Sequence, residues 1–324
     1  MRNYNRLDWV DLSKAIGIIL VVYGHVARGL DSAGMTFALF KSVDSIIYSF
    51  HMPLFFVLSG FFFLKSARRG GVSFVKVKLG SLIYPYLIWS FLQLFSQVLM
   101  SSYINGNVVS SELICFFLPR AQFWFLLSLF IISVLTVFFI GRFLLPWLIL
   151  SSAASFVYYI LQPELGFIDK VIRHLMFFNF GIFLSNYKTE LFSVLNSRFV
   201  LVINLLFFCG LIFYAFWVGQ MFSIIEFGFA MSGFMLVIQI AVLFSSDRFS
   251  VLKDIGRQSM SIYILHILVG SGFRVFLDKV LDCQNIVIHL LFGTLIGVGI
   301  PYLICRSGLI ARASFLFRFP RTLS

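Results

Sequence analysis

Residues Leu7 to His25, LDWVDLSKAIGIILVVYGH, constrain this chain more than any other stretch. The run is apolar enough to cross a bilayer, yet it carries Asp8, Asp11, Lys14 and His25. A charged side chain at the centre of a membrane helix costs about 3 kcal/mol on insertion scales, so such groups usually mark a function. In a helix, eleven steps of about 100° return His25 to within about 20° of Lys14, roughly 16 Å further along the axis. Asp11 stands one turn before Lys14 on much the same face. The pattern admits two readings. In one, a cation near one membrane face holds an anionic donor and an imidazole toward the other acts as base or nucleophile. In the other, Lys14 snorkels from a helix end and His25 is a satisfied buried histidine.

The remaining sequence fits a membrane setting. Of 324 residues 60% are hydrophobic and 12% charged, and the mean hydropathy is +0.99, which excludes an ordinary soluble domain. Forty-three Phe suit lipid-facing and interhelical packing. The net charge of +12 sits in short loops between apolar runs, which points to orientation in a membrane and away from nucleic acid. A span needs about 20 mainly apolar residues. The sequence predicts an all-α, polytopic membrane protein of about ten transmembrane helices, near 10–28, 45–65, 80–100, 121–140, 143–161, 171–187, 198–218, 222–245, 258–277 and 285–305. Most of the 25 Lys and Arg fall on the side of the N-terminus, so both termini are expected in the cytoplasm. Lys14 then lies near the cytoplasmic end of the first span. With no loop long enough to fold alone, residues 1–324 read as a single membrane-embedded domain. Arg2 and Arg6 resemble the basic region of a signal peptide, but the charges in the first span and the later spans argue against cleavage. Cys115, Cys209, Cys283 and Cys305 lack metal-binding spacing and read as structural, without disulfides.

Further stretches invite a chemical reading. Ser49 to Gly60, SFHMPLFFVLSG, places His51 ahead of Pro53, which frees a backbone carbonyl, and Ser59-Gly60 permits close helix approach. His51 either faces the cavity of His25 or is an interfacial histidine beside a kink. Ile255 to His266, IGRQSMSIYILH, caps a helix and carries His266 toward mid-membrane, where it either serves the site or simply packs. The loop from Lys65 to Lys78 holds Arg68, Arg69, Lys76 and Lys78, which either signal topology or receive a phosphate-rich cofactor such as coenzyme A. Gln122 to Leu126, QFWFL, makes Trp124 an interfacial anchor or a sugar platform. No GxSxG, Walker loop, HExxH, DxD pair or Cys/His metal spacing is present.

At these residues the chain resembles the acyltransferase-3 family of integral-membrane acyltransferases, in particular the branch of sugar O-acetylases like fucose 4-O-acetylase. Lys14 and His25 reproduce the family's first-span pattern of a basic residue, ten residues, then His. The stretch Phe50 to Phe63, the Trp124-Phe125-Leu126 tripeptide and Gly256 to His266 are similar to further family signatures in the expected order. One departure concerns the Arg-x-x-Arg pattern many members carry before the third span; here that region holds Lys76 and Lys78 in another spacing. The resemblance implies transfer of an acyl group, usually acetyl, from cytoplasmic acyl-CoA to a hydroxyl of a cell-envelope or exported glycan or glycolipid. It implies His25 as the catalytic residue and Lys14 as its motif partner; the residues themselves add Asp11 on the same helix face, and His51, Ser59, Trp124 and His266 as candidates to line a cavity. The charge of Arg68, Arg69, Lys76 and Lys78, read on its own, makes them the candidates to receive the donor. Acetyl-CoA would be a substrate, with no permanently bound cofactor and no metal, in the bacterial inner membrane. Partners would be the lipid bilayer, the acceptor and acyl-CoA, with room for a homo-oligomer and any acceptor-side protein separate. The rival readings are a transporter or flippase of a lipid-linked sugar, for which no inverted repeat is visible, and a non-catalytic assembly subunit.

Overall fold

The computed structural model describes residues 7–37, 39–99, 110–218, 223–245 and 247–319. Arg2, Arg6 and the expected span ends at 100 and 222 lie outside the described residues. Every regular element among the described residues is helical. Eight helical stretches are long and apolar enough to cross a membrane: Asp8–Asp31, Phe40–Phe61, Gly71–Leu99, Leu144–Leu161, Arg198–Val218, Ser223–Leu243, Ser259–Lys279 and Ile286–Arg306. They coincide with eight of the ten expected spans. The remaining two are also helices. The fourth runs only from Ala121 to Val137, and Gly141 beyond it adopts a φ of +97° that glycine alone takes without strain. The sixth, Phe167–Asn186, carries Asp169, Lys170 and Arg173 in its first turns, which makes it less apolar than the eight.

The chain forms two compact units, Met1–Leu58 with Leu184–Leu303, and Ser59–Phe183 with Ile304–Ser324. In the first unit the Asp8–Asp31 helix is central. Ala15, Ile18 and Val22 on it are fully buried, and it packs on the helices Ser250–Arg257, Ser259–Lys279 and Ser223–Leu243. The crossing with Ser250–Arg257 is the tightest. A Cβ at Gly256 would overlap the Asp11 carbonyl, so the absent side chain is what lets the two backbones touch. Polar pairs fasten the same crossing: Lys253 Nζ lies 2.7 Å from Asp8, and Arg257 Nε 3.0 Å from Asp11. Nearby, Trp9 packs edge-on against Phe192 at 5.2 Å.

In the second unit the helix Gly71–Leu99 is interrupted by a π turn over Leu79–Ile83. Pro85 explains it. Proline has no N–H and its ring collides with the carbonyl four residues back, so the ladder widens before it. Tyr84 N–H goes to the Leu79 carbonyl, five residues back, and Pro85 has no donor, which leaves the Gly80 carbonyl without a helical partner. Phe319 N–H supplies the bond at 3.1 Å. Trp89 Nε1 reinforces the join by donating to the Leu316 carbonyl at 2.7 Å, and the Phe319 ring packs edge-on against Tyr84 at 5.2 Å. Elsewhere in this unit a Cβ at Gly60 would overlap the Phe178 carbonyl, which accounts for the glycine. The Asn179 amide donates to Ser151 Oγ at 2.8 Å and Ser152 Oγ at 2.9 Å, tying Phe167–Asn186 to Leu144–Leu161.

Gly256→Val is expected to force the Ser250–Arg257 crossing apart and to destabilise the protein by about 1–3 kcal/mol. Thermal unfolding in detergent checks this, and an unchanged midpoint would show that the close approach carries no stability.

Candidate active site

Three helices of the first unit bring their histidines together. His25 comes from Asp8–Asp31, His51 from Phe40–Phe61 and His266 from Ser259–Lys279. The His25 and His266 rings are 5.1 Å apart between centroids, tilted by 54°. Tyr48 joins them: its ring lies 6.3 Å from His25 and 4.5 Å from His51, edge-on to each. Tyr263 stands 6.1 Å from His266. His51 and His266 are each 1% exposed, while His25 is half-buried.

Backbone carbonyls fix two of the imidazoles. A carbonyl only accepts, so the ring nitrogen facing it must carry hydrogen. His51 Nδ1 donates to the Ile47 carbonyl at 2.6 Å, one turn back on its own helix. His266 Nδ1 donates to the Tyr263 carbonyl at 2.7 Å. In the neutral rings the free lone pair is then on Nε2, and that of His266 is buried without a hydrogen-bond partner. Tyr48 Oη is likewise buried and without a partner. Such orphans normally cost about 1–3 kcal/mol each, and two of them lie in this cluster.

One side of the cluster is charged. Arg28 lies over the Tyr48 ring with Cζ 3.1 Å from its centroid, and its Nε and Nη2 each reach Asp44 at 2.8 Å. This is a bidentate carboxylate pair with a cation–π contact on the same guanidinium. Gly24 makes room for the Tyr48 ring, since a Cβ there would stand 2.8 Å from Tyr48 Cε2.

The other residues singled out in the sequence are spread over both units. Lys14 is half-buried on the first helix, which runs without a break to His25 and so keeps the two on one face about 16 Å apart. Asp11, 6% exposed, accepts from Arg257, and that bond holds the guanidinium above its ordinary pKa. Ser59, Trp124, Arg68, Arg69, Lys76 and Lys78 belong to the second unit. Ser59 is half-buried beside Gly60. Trp124 is half-buried, with the His174 ring at 5.2 Å and Lys170 Nζ 5.6 Å from its own ring. Arg68 and Arg69 are exposed in the turn ending at Gly70. Lys76 is exposed on Gly71–Lys78, and Lys78 lies 5.4 Å from the Phe74 ring. Among the described residues no three His, Cys, Asp or Glu side chains are grouped to hold a metal ion.

Sequence reasoning missed Tyr48, Arg28, Asp44 and Tyr263. The signal was nevertheless present. Tyr48 precedes His51 by three residues, Tyr263 precedes His266 by three, and Arg28 comes three after His25. Residues three apart share a helix face, so each histidine announces a neighbour.

The model of the acyltransferase domain family matches residues 7–306, nearly the whole chain. The chain belongs to the acyltransferase-3 family. No curated protein and no solved structure matches it. The protein is therefore a membrane acyltransferase, and its candidate site is the cluster of histidines around Tyr48.

In this acyltransferase Asp11→Ala is expected to cost about 1–3 kcal/mol, because Arg257 loses its buried partner. Arg257→Gln should cost a similar amount, and the double variant less than the sum. A double-mutant cycle by thermal unfolding checks the coupling, and strict additivity would show that the pair does not interact.

Proposed function

We propose that the protein is an O-acyltransferase that moves an acyl group, acetyl by preference, from cytoplasmic acyl-CoA to a hydroxyl of a cell-envelope or exported glycan or glycolipid. The observation that carries this reading is the convergence of His25 with His51 and His266 on the face that also bears Lys14, within a chain of this family. A multi-pass protein of the bacterial inner membrane with both termini in the cytoplasm fits the distribution of Lys and Arg.

The side chains set the chemistry. A thioester is already activated, so the protein must supply a base for the acceptor hydroxyl, and an imidazole is matched to that task near pH 7. His25 is the half-buried member of the three and the one reachable from outside the cluster, so it takes this role. Its proton acceptance lets the hydroxyl oxygen attack the acyl carbonyl, and the protonated ring then returns the proton to the departing thiolate. Lys14, toward the cytoplasmic end, offers a cation to the phosphates of the donor, and Arg68, Arg69, Lys76 and Lys78 give the second unit a basic stretch of the kind that phosphates favour. His51 and His266, each anchored by a carbonyl, are held in fixed orientations beside His25. Asp11 acts through Arg257 to hold the first helix. Acetyl-CoA is a substrate in this reading, and no resident metal or cofactor is invoked.

Protein reconstituted in membranes with radiolabelled acetyl-CoA and total cell-envelope glycan tests the proposal. Wild type should label glycan, inserted and stable His25→Ala should lose transfer by a factor of about 1,000 or more, and Lys14→Ala should weaken it chiefly through KM for acetyl-CoA. Full transfer by stable His25→Ala would remove His25 from the mechanism. Sugar movement across the vesicle without thioester consumption would favour a transporter instead.

A further inference from the structure

We propose that the Tyr48 hydroxyl is the hydrogen-bond donor that stabilises the oxyanion formed on the transferring acyl group, and that Arg28 and Asp44 position it. The proposal rests on the acyl-transfer reading and assigns a role that reading leaves open.

Attack on a thioester carbonyl puts a negative charge on its oxygen, and a preorganised donor there is worth about 100- to 1,000-fold in rate. Of the imidazole N–H donors, those of His51 Nδ1 and His266 Nδ1 are engaged by backbone carbonyls, and the Arg28 guanidinium is turned to Asp44. Tyr48 Oη is buried with no partner. A phenol O–H beside the candidate base, with its own hydrogen bond unmade, is suited to receive a ligand oxygen.

Tyr48 is also preorganised. Its ring is held on one face by the Arg28 guanidinium at 3.1 Å and meets the edge of His51 at 4.5 Å. Its Cε2 lies where a Cβ on Gly24 would collide with it. Arg28 in turn is gripped by both oxygens of Asp44, at 2.8 and 2.8 Å. A tyrosine needed only as apolar filling would not call for a bidentate ion pair to fix its plane. Because His25 and Arg28 share a helix, and Tyr48 and His51 share the next, two rigid elements set donor and base against each other.

The step balances with Tyr48 keeping its proton. The acceptor oxygen forms a bond to the acyl carbon and its proton passes to His25. The carbonyl pair moves onto oxygen, where Tyr48 Oη–H holds it. Collapse restores the carbonyl, breaks the carbon–sulfur bond, and the thiolate takes the proton back from His25.

Tyr48→Phe removes the hydroxyl and keeps the ring. In the reconstituted assay with radiolabelled acetyl-CoA and cell-envelope glycan, its kcat should fall about 100-fold with KM for acetyl-CoA within about twofold of wild type. Arg28→Gln should slow the wild type but add little in the Tyr48→Phe background, since its effect runs through that hydroxyl. Tyr48→3,5-difluorotyrosine, which preserves packing, should change kcat with the acidity of the phenol even if Tyr48→Phe inserts poorly. Wild-type kcat in Tyr48→Phe, or no response to fluorination, overturns the donor role. Additive losses for Arg28 and Tyr48 overturn the positioning role. Absence of transfer by wild type itself would instead bring down the acyl-transfer reading on which both stand.

Discussion

A carboxylate at the start of an apolar helix must be paired, and the pairing chosen here sets the position of the whole first helix. Asp8 and Asp11 meet Lys253 and Arg257, while the backbone of Gly256 rests on that of Asp11. Two ionic links and one backbone contact, all close to a single turn, leave the first helix no freedom to slide or rotate at that end. Its axial position and its rotation are then carried to His25 and Arg28 by an unbroken run of hydrogen-bonded turns. Burial reinforces the register, since Ala15, Ile18 and Val22 are wholly enclosed. A shift of one residue would turn about 100° of apolar surface out of the core and move His25 off the other histidines.

The second recurring device is the backbone carbonyl used twice. A carbonyl has two lone pairs, and a helix uses one. With no water in hydrocarbon to compete, the other is available to side chains on the next turn, which is how Ile47 and Tyr263 orient His51 and His266. The Gly80 carbonyl is the opposite case. A π turn and a proline remove its helical partner, and a backbone N–H from far along the chain, at Phe319, replaces it. In both cases the orientation of a functional or structural segment is set by main chain, which substitution of surrounding apolar residues leaves in place.

Much of this was legible in the sequence for a simple reason. An ionisable residue in a long apolar run is conspicuous, so His25, His51, His266, Lys14 and Asp11 stood out before any geometry was known. Eight spans were equally plain because each is a continuous apolar segment. Tyr48 was hidden because aromatic residues are common in this chain, with 43 Phe and 12 Tyr, and one more carries no signal until its spacing from His51 is considered. Arg28 and Asp44 resembled ordinary charges at span ends; only the fold shows that they face each other. The purpose of Asp11 was concealed by distance, since Arg257 is 246 residues away. The fourth expected span reaches 140 because Phe138, Phe139 and Ile140 continue the apolar run, while the backbone ends the helix at Val137.

The rigidity of the first helix also bears on how an acyl group could cross. Lys14 and His25 are separated by about 16 Å of continuous helix, a distance fixed by 1.5 Å per residue. A hinge between them would let the cation and the imidazole approach one another, but Gly17 and Gly24, the two points where this helix would soften most readily, are both closely packed. A Cβ at Gly17 would stand 3.0 Å from Leu54 Cδ2, and Gly24 is pressed on Tyr48. Under the proposed reading the separation must therefore be covered by the substrate. A donor whose phosphates rest near Lys14 has to extend its acyl arm along the helix to reach His25, and a donor lacking that reach would bind without reacting. On that reading the ten residues between Lys14 and His25 act as a ruler for the donor, set against the length of its acyl arm.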